Sequence, residues 1–152
     1  MNTLFPRIAD NHYPGRRPGL WMFAFMLLKI AMGLNVMLNA PQVARLADGV
    51  PVDTFAVPAA AAFSFVFAAW GLGQFVLGVA SLVVLVRYRS LVPLAFLCLL
   101  IEQIGRMLLR FRWPIDRIPT APGTAINVAL TAIMVLGFVL SVWRPRVAVA
   151  AA

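Results

Sequence analysis

The sequence predicts an all-α integral membrane protein: an antiparallel four-helix transmembrane bundle with a short periplasmic interfacial segment. Three observations carry this. Hydrophobic residues make up 62% of the 152 positions, where a soluble domain sits nearer half. The excess is gathered into four long runs, each at or above the roughly 20 residues needed to cross a bilayer core. The link between the second and third runs, Arg87-Tyr88-Arg89-Ser90, is so short that those runs must be antiparallel neighbours.

Taken in order, residues 1–19 form a polar N-terminal leader, in which three prolines and two glycines forbid a long helix. Arg16 and Arg17 stand just before the first apolar run and act as a topology signal. Residues 20–143 form the membrane domain, with spans at about 20–40, 59–86, 91–112 and 124–143. A cleavable signal is the competing reading of the first run. It is set aside because the run is longer than a usual signal core and Pro41 follows directly.

Residues 41–58 connect spans one and two. PQVARLADG suits a short surface helix ended by Asp48-Gly49, and Val50, Val52, Phe55 and Val57 suit a segment lying against the membrane. The second run exceeds the minimum length and can tilt. Gly71, Gly73, Gly78, Ala80 and Ser81 are small residues that let helices approach closely. Gln74, Gly78 and Ser81 fall on one face, read as the face toward the bundle. Ser90 is the expected N-cap of span three, and Pro93 is tolerated in its first turn. Trp113–Gly123, with three prolines, cannot stay helical and reads as an ordered cap in which Asp116 has Arg112 and Arg117 as partners. Residues 144–152 are a C-terminal tail.

Thirteen Lys and Arg stand against five Asp and Glu, a formal charge of +8. The basic residues flank apolar runs rather than alternating with exposed aromatics, so the expected partner is the lipid bilayer and not nucleic acid. Arg7, Arg16, Arg17, Arg87, Arg89, Arg144 and Arg146 fall on one side, and Arg45, Arg110, Arg112 and Arg117 on the other. The positive-inside rule then places both termini in the cytoplasm of a multi-pass protein of a bacterial inner membrane. The single cysteine, Cys98, has no disulfide partner in the chain and reads as a small packed hydrophobe. The single histidine, His12, lies in the leader, so no His-ligated cofactor or metal is expected in the bilayer.

The chemistry of the chain is concentrated inside the spans. Lys29 is the only lysine and Glu102 the only glutamate. Both are predicted near mid-depth, at heights differing by roughly 3 Å at about 1.5 Å per residue. A mid-membrane charge costs about 2.5–3.5 kcal/mol, so the two should meet. Arg106 is a rival partner for Glu102 one turn on. Gln103, Arg106 and Arg110 form a polar stripe, which Asn35, Asn39 and Asn127 can join at similar height, and Gln74 faces the same interior. The candidate site is therefore Lys29, Asn35, Gln74, Glu102, Gln103, Arg106, Arg110 and Asn127.

Three readings of this set compete: a structural ionic knot joining spans one and three, an outward-facing pocket lined by Arg106, Arg110, Asn35 and Asn127 for an anionic or polar headgroup or a quinone, and a proton path through Glu102. Catalysis has little support, because no histidine or carboxylate pair lies within the spans. In span count and size the chain resembles the small four-helix bacterial membrane proteins of the DoxX-like group. No stretch matches a motif of that group, and no residue role is taken from it. The function expected is a non-catalytic accessory or scaffold subunit packing against partner membrane subunits, with no cofactor. The alternative is a small-molecule, lipid or quinone binding protein, or an oligomeric transporter, built on the Lys/Glu/Arg cluster.

Overall fold

The computed structural model describes residues 3–118 and 120–143. Among these the chain is helical and contains no strand. The α-helices are α1 (Arg17–Phe25), α2 (Leu28–Leu38), α3 (Ala40–Leu46), α4 (Val57–Arg87), α5 (Val92–Arg112) and α6 (Gly123–Val142). Single 3₁₀ turns occupy Val52–Thr54 and Arg89–Leu91. The tail after Trp143, with Arg144 and Arg146, lies outside the described residues. Four helical stretches are long and apolar enough to cross a membrane: Arg17–Leu38, Val57–Arg87, Arg89–Arg112 and Gly123–Val142.

Prolines open most of these helices. Pro18, Pro41, Pro58 and Pro93 each sit in a first turn, where the missing N–H costs nothing. Helix α1 thus starts at Arg17, three residues before the expected start of the first span and inside the stretch assigned to the polar leader. The first span is also not one helix. Between α1 and α2, Met26 and Leu27 take the shallow ψ of a 3₁₀ turn, and Lys29 N–H and Ile30 N–H donate to Met26 and Leu27, three residues back. No proline or glycine announces this step. It lies immediately before Lys29, the largest charged side chain buried in the fold.

The outer surface is apolar and several polar side chains are buried, the reverse of the polar surface of a soluble domain. Lys29, Gln74, Gln103, Ser81 and Ser141 are buried, while Leu72, Val76, Val83, Ile101, Leu108 and Leu136 face out. Helices α2 and α4 meet through glycine. A Cβ at Gly33 would lie 2.5 Å from Phe75 N, one at Gly71 would lie 2.7 Å from Met37 N, and one at Gly78 would lie 2.6 Å from Ile30 Cγ1. Backbone-to-backbone approach of this kind is how transmembrane helices gain dispersion energy in a solvent as apolar as themselves. The buried face of α4 is Gly71, Gln74, Gly78 and Ser81, whereas Gly73 and Ala80 point away from the bundle.

An apolar core fills the half of the bundle near the termini. Phe23, Met26, Phe96, Leu99 and Met134 are at most 2% exposed, and the Phe23 and Phe96 rings meet edge to face at 5.0 Å. Gly137 leaves room for the Phe96 ring. The leader is tied to this end. Ser90 Oγ accepts from Asp10 N–H at 2.9 Å and donates to Asp10 O at 3.0 Å, so Ser90 pins the leader and does not cap α5, whose N-cap is Leu91. Arg16 N–H donates to Leu140 O, and the Arg16 guanidinium lies 4.5 Å over the Trp143 ring.

At the other end, two loops clasp each other. Ile118 N–H donates to Gly49 O and Gly123 N–H to Ala47 O, both at 2.8 Å. Gly49 holds φ +71, and a Cβ there would lie 2.7 Å from Ala121 Cβ. Only glycine takes that backbone turn without strain. Arg117 pairs with Asp48 at 3.6 Å, not with Asp116. Asp116 is exposed, without an ion pair among the described residues, and Arg112 stacks on Trp113 at 4.5 Å.

Candidate functional site

One turn of α5 carries the polar centre. At three and four residues' spacing, Glu102, Gln103 and Arg106 project from adjacent positions of that turn, and each reaches a different neighbour. Lys29 Nζ on α2 donates to Glu102 Oε2 at 3.1 Å and to Gln103 Oε1 at 3.4 Å. Arg106 Nε donates to Glu102 Oε1 at 3.1 Å, and its Nη2 donates to Gln103 Oε1 at 2.6 Å and to Asn127 Oδ1 on α6 at 3.2 Å. Gln103 Nε2 donates to Asn127 Oδ1 at 3.1 Å, and Asn127 Nδ2 donates to Gly123 O at 2.7 Å. From α4, Gln74 Nε2 and Trp70 Nε1 approach Glu102 Oε1 at 3.4 and 3.5 Å.

The knot therefore touches all four spanning stretches, not only spans one and three. Every amide and charge in it has a partner, and the only orphaned buried side-chain polar atom among the described residues is the Tyr13 hydroxyl, far along the chain. A fully satisfied network in a low-dielectric interior is rigid and specific. One carboxylate faces two cations, so the knot carries a formal excess of one positive charge. Lys29 is 1% exposed, and the Arg106 side chain, at 26%, is the member that reaches outward. A cavity of about 70 Å³ lies against the knot, lined in part by Lys29, Gln103, Arg106, Asn127 and Asp48. Its lining is mostly apolar, with the polar groups of the knot along one side.

Of the residues expected at the site, Lys29, Gln74, Glu102, Gln103, Arg106 and Asn127 come together. Asn35 does not. It is exposed on α2 and accepts from Asn39 Nδ2 at 2.9 Å. The buried edge of α2 runs through Lys29, Gly33 and Val36, and six residues past Lys29, at about 100° per residue, Asn35 has turned roughly 120° away. Arg110 is also outside the knot. It lines a groove of about 260 Å³ between the first half of α4 and the last half of α5.

Sequence reasoning missed two participants. Trp70 supplies both an N–H toward Glu102 and a ring 4.7 Å beneath the Arg106 guanidinium. Its spacing of four from Gln74, on the same face of α4, was the available signal. Arg117 enters the groove from the loop after α5, a placement no helical periodicity encodes. Cys98 is exposed on α5 rather than packed. Among the described residues no group of three His, Cys, Asp or Glu is placed to hold a metal. Comparison of the chain with protein-family models, curated proteins and solved structures finds no match.

Proposed function

We propose that the chain is a non-catalytic accessory or scaffold subunit of a bacterial inner membrane, which packs the outer face of α4 against a partner helix. The observation that carries this reading is Gly73. On α4, Gly71 and Gly78 are required by α2, whereas a Cβ at Gly73 would meet nothing within 4 Å. An unforced glycine weakens a helix by about 1 kcal/mol against alanine, so an external contact is the physical reason to place one there. Ala69 stands one turn before it, which makes a small-xxx-small pair on the exposed side. The same side repeats at three and four through Phe65, Ala69, Leu72, Val76, Val79, Val83 and Val86, all exposed, the spacing of a helix–helix seam.

The saturated knot supports the non-catalytic half of the reading. Glu102, the one acid within the spans, is bound by Lys29, Arg106, Gln74 and Trp70. The opposite run of numbers along α2 and α4, with Ile30 at Gly78 and Val36 at Gly71, supports spans that cross in alternate directions. With the arginine count of the loops, this favours cytoplasmic termini and a periplasmic position for α3 and the Val52–Thr54 turn. The test is purification of tagged protein from native membranes, wild type beside Gly73→Leu. The expected result is a stoichiometric companion subunit with wild type and its loss with the variant, at unchanged melting temperature. A wild-type protein that purifies as a monomer with no companion overturns the reading.

A further inference from the structure

The groove between α4 and α5 lies apart from the α4 seam and combines an aromatic wall with three arginines. One wall is an aromatic ladder on α4. Phe63 stacks on Phe67 at 5.6 Å, and Phe67 tilts against Trp70 at 5.1 Å. The floor is Arg106, held over the Trp70 ring. Arg110 rises from the opposite wall, and Arg117 closes the end from the loop. The outer lip is Val66 and Leu109, 65% and 59% exposed and apolar.

The charges do not balance. Arg106 is shared with the knot, and Arg117 is answered by Asp48 at 3.6 Å. Arg110 is half-buried and makes no hydrogen bond or ion pair among the described residues. Knot and groove together hold Lys29, Arg106, Arg110 and Arg117 against Glu102 and Asp48, an excess of two positive charges. The crowding is felt at Arg117. Burial first, then repulsion from Arg110, push its guanidinium pKa down, and Asp48 only partly offsets them. A guanidinium without an internal counter-charge, at the mouth of an apolar groove, is free to pair with an anionic group.

We propose that this groove binds a lipid with an anionic phosphate headgroup, the phosphate lying between Arg110 and Arg117 and an acyl chain along Phe63, Phe67 and Leu109. A lipid is chosen over a soluble anion because the long wall is aromatic and aliphatic and opens past exposed apolar residues on helices long enough to span a bilayer. A guanidinium fork suits phosphate oxygens, and the ladder suits chain methylenes.

The test is lipid retention by the full chain in neutral detergent, read by native mass spectrometry. Short-chain phosphatidylglycerol and phosphatidylcholine are offered together, with inorganic phosphate as a separate competitor. Wild type retains the anionic lipid in preference to the zwitterionic one, and Arg110→Gln lowers that preference about fivefold, the weight of one arginine at a lipid surface. Because Arg110 has no internal partner, its loss leaves the melting temperature unchanged. Val66→Trp, which fills the groove from its exposed lip, abolishes retention without entering the knot. Equal retention of the two lipids, or an undiminished preference in both variants, overturns the proposal. Displacement of the lipid by millimolar inorganic phosphate overturns the choice of a lipid over a free anion.

Discussion

Lys29 and Glu102 are 73 residues apart in sequence and meet at 3.1 Å, with the lysine side chain 2% exposed and the glutamate 20%. A cation this enclosed is stable only because its counter-charge and the Gln103 carbonyl are fixed beside it. Glu102→Gln leaves Lys29 facing a neutral amide in a dry interior, at a cost of about 3–5 kcal/mol. The double variant Lys29→Met/Glu102→Gln recovers part of that loss. A double-mutant cycle by thermal melting in detergent should show the two changes to be strongly non-additive. Additive losses would mean that the two charges are not coupled.

Gly71 and Gly73 are two residues apart on α4 and have opposite surroundings. A side chain at Gly71 would strike Met37 N and Val36, while one at Gly73 enters open space. Gly71→Leu should lower stability by about 1–3 kcal/mol or more through overpacking, and Gly73→Leu should leave the melting temperature within error. Equal effects would place the α2–α4 contact elsewhere.

The two asparagines expected to act together are separated by the fold. Asn127 bridges Gln103, Arg106 and Gly123. Asn127→Ala should cost about 1–3 kcal/mol, because it strips acceptors from buried donors. Asn35→Ala removes only an exposed bond to Asn39 and should stay within about 0.5 kcal/mol. The comparison needs only melting curves of both variants. A large Asn35 effect would contradict the rotation of α2.

Tyr13 is packed so that its hydroxyl touches the site of Gly19 and finds no hydrogen-bond partner. Burial pushes its pKa from 10.0 up to about 12. The folded state thus keeps the proton that the unfolded chain releases above 10.0. The contribution is complete below that pH and is lost as pH rises toward about 12. Tyr13→Phe should flatten the fall in melting temperature over this alkaline window and be neutral or stabilising at pH 7, since it removes an unmatched polar group. A steeper alkaline fall in the variant would exclude this role.

The number of spanning stretches and the meeting of the lone lysine with the lone glutamate were legible without coordinates. Run length decides the first, and the cost of an isolated charge in hydrocarbon decides the second. What tertiary structure alone decided is rotation about each helix axis. In α4 nearly every face is apolar, so hydropathy does not separate Gly71 from Gly73, and only the spacings from Gln74 point to Gly71 and Trp70. In the first span, a 3₁₀ step without proline or glycine precedes Lys29, and Asn35 lies off the buried edge. Ser90 holding Asp10, and Arg117 holding Asp48, are contacts between loops distant in sequence. Such contacts arise from the closing of the bundle, because only the assembled helices bring those loop ends within reach of each other.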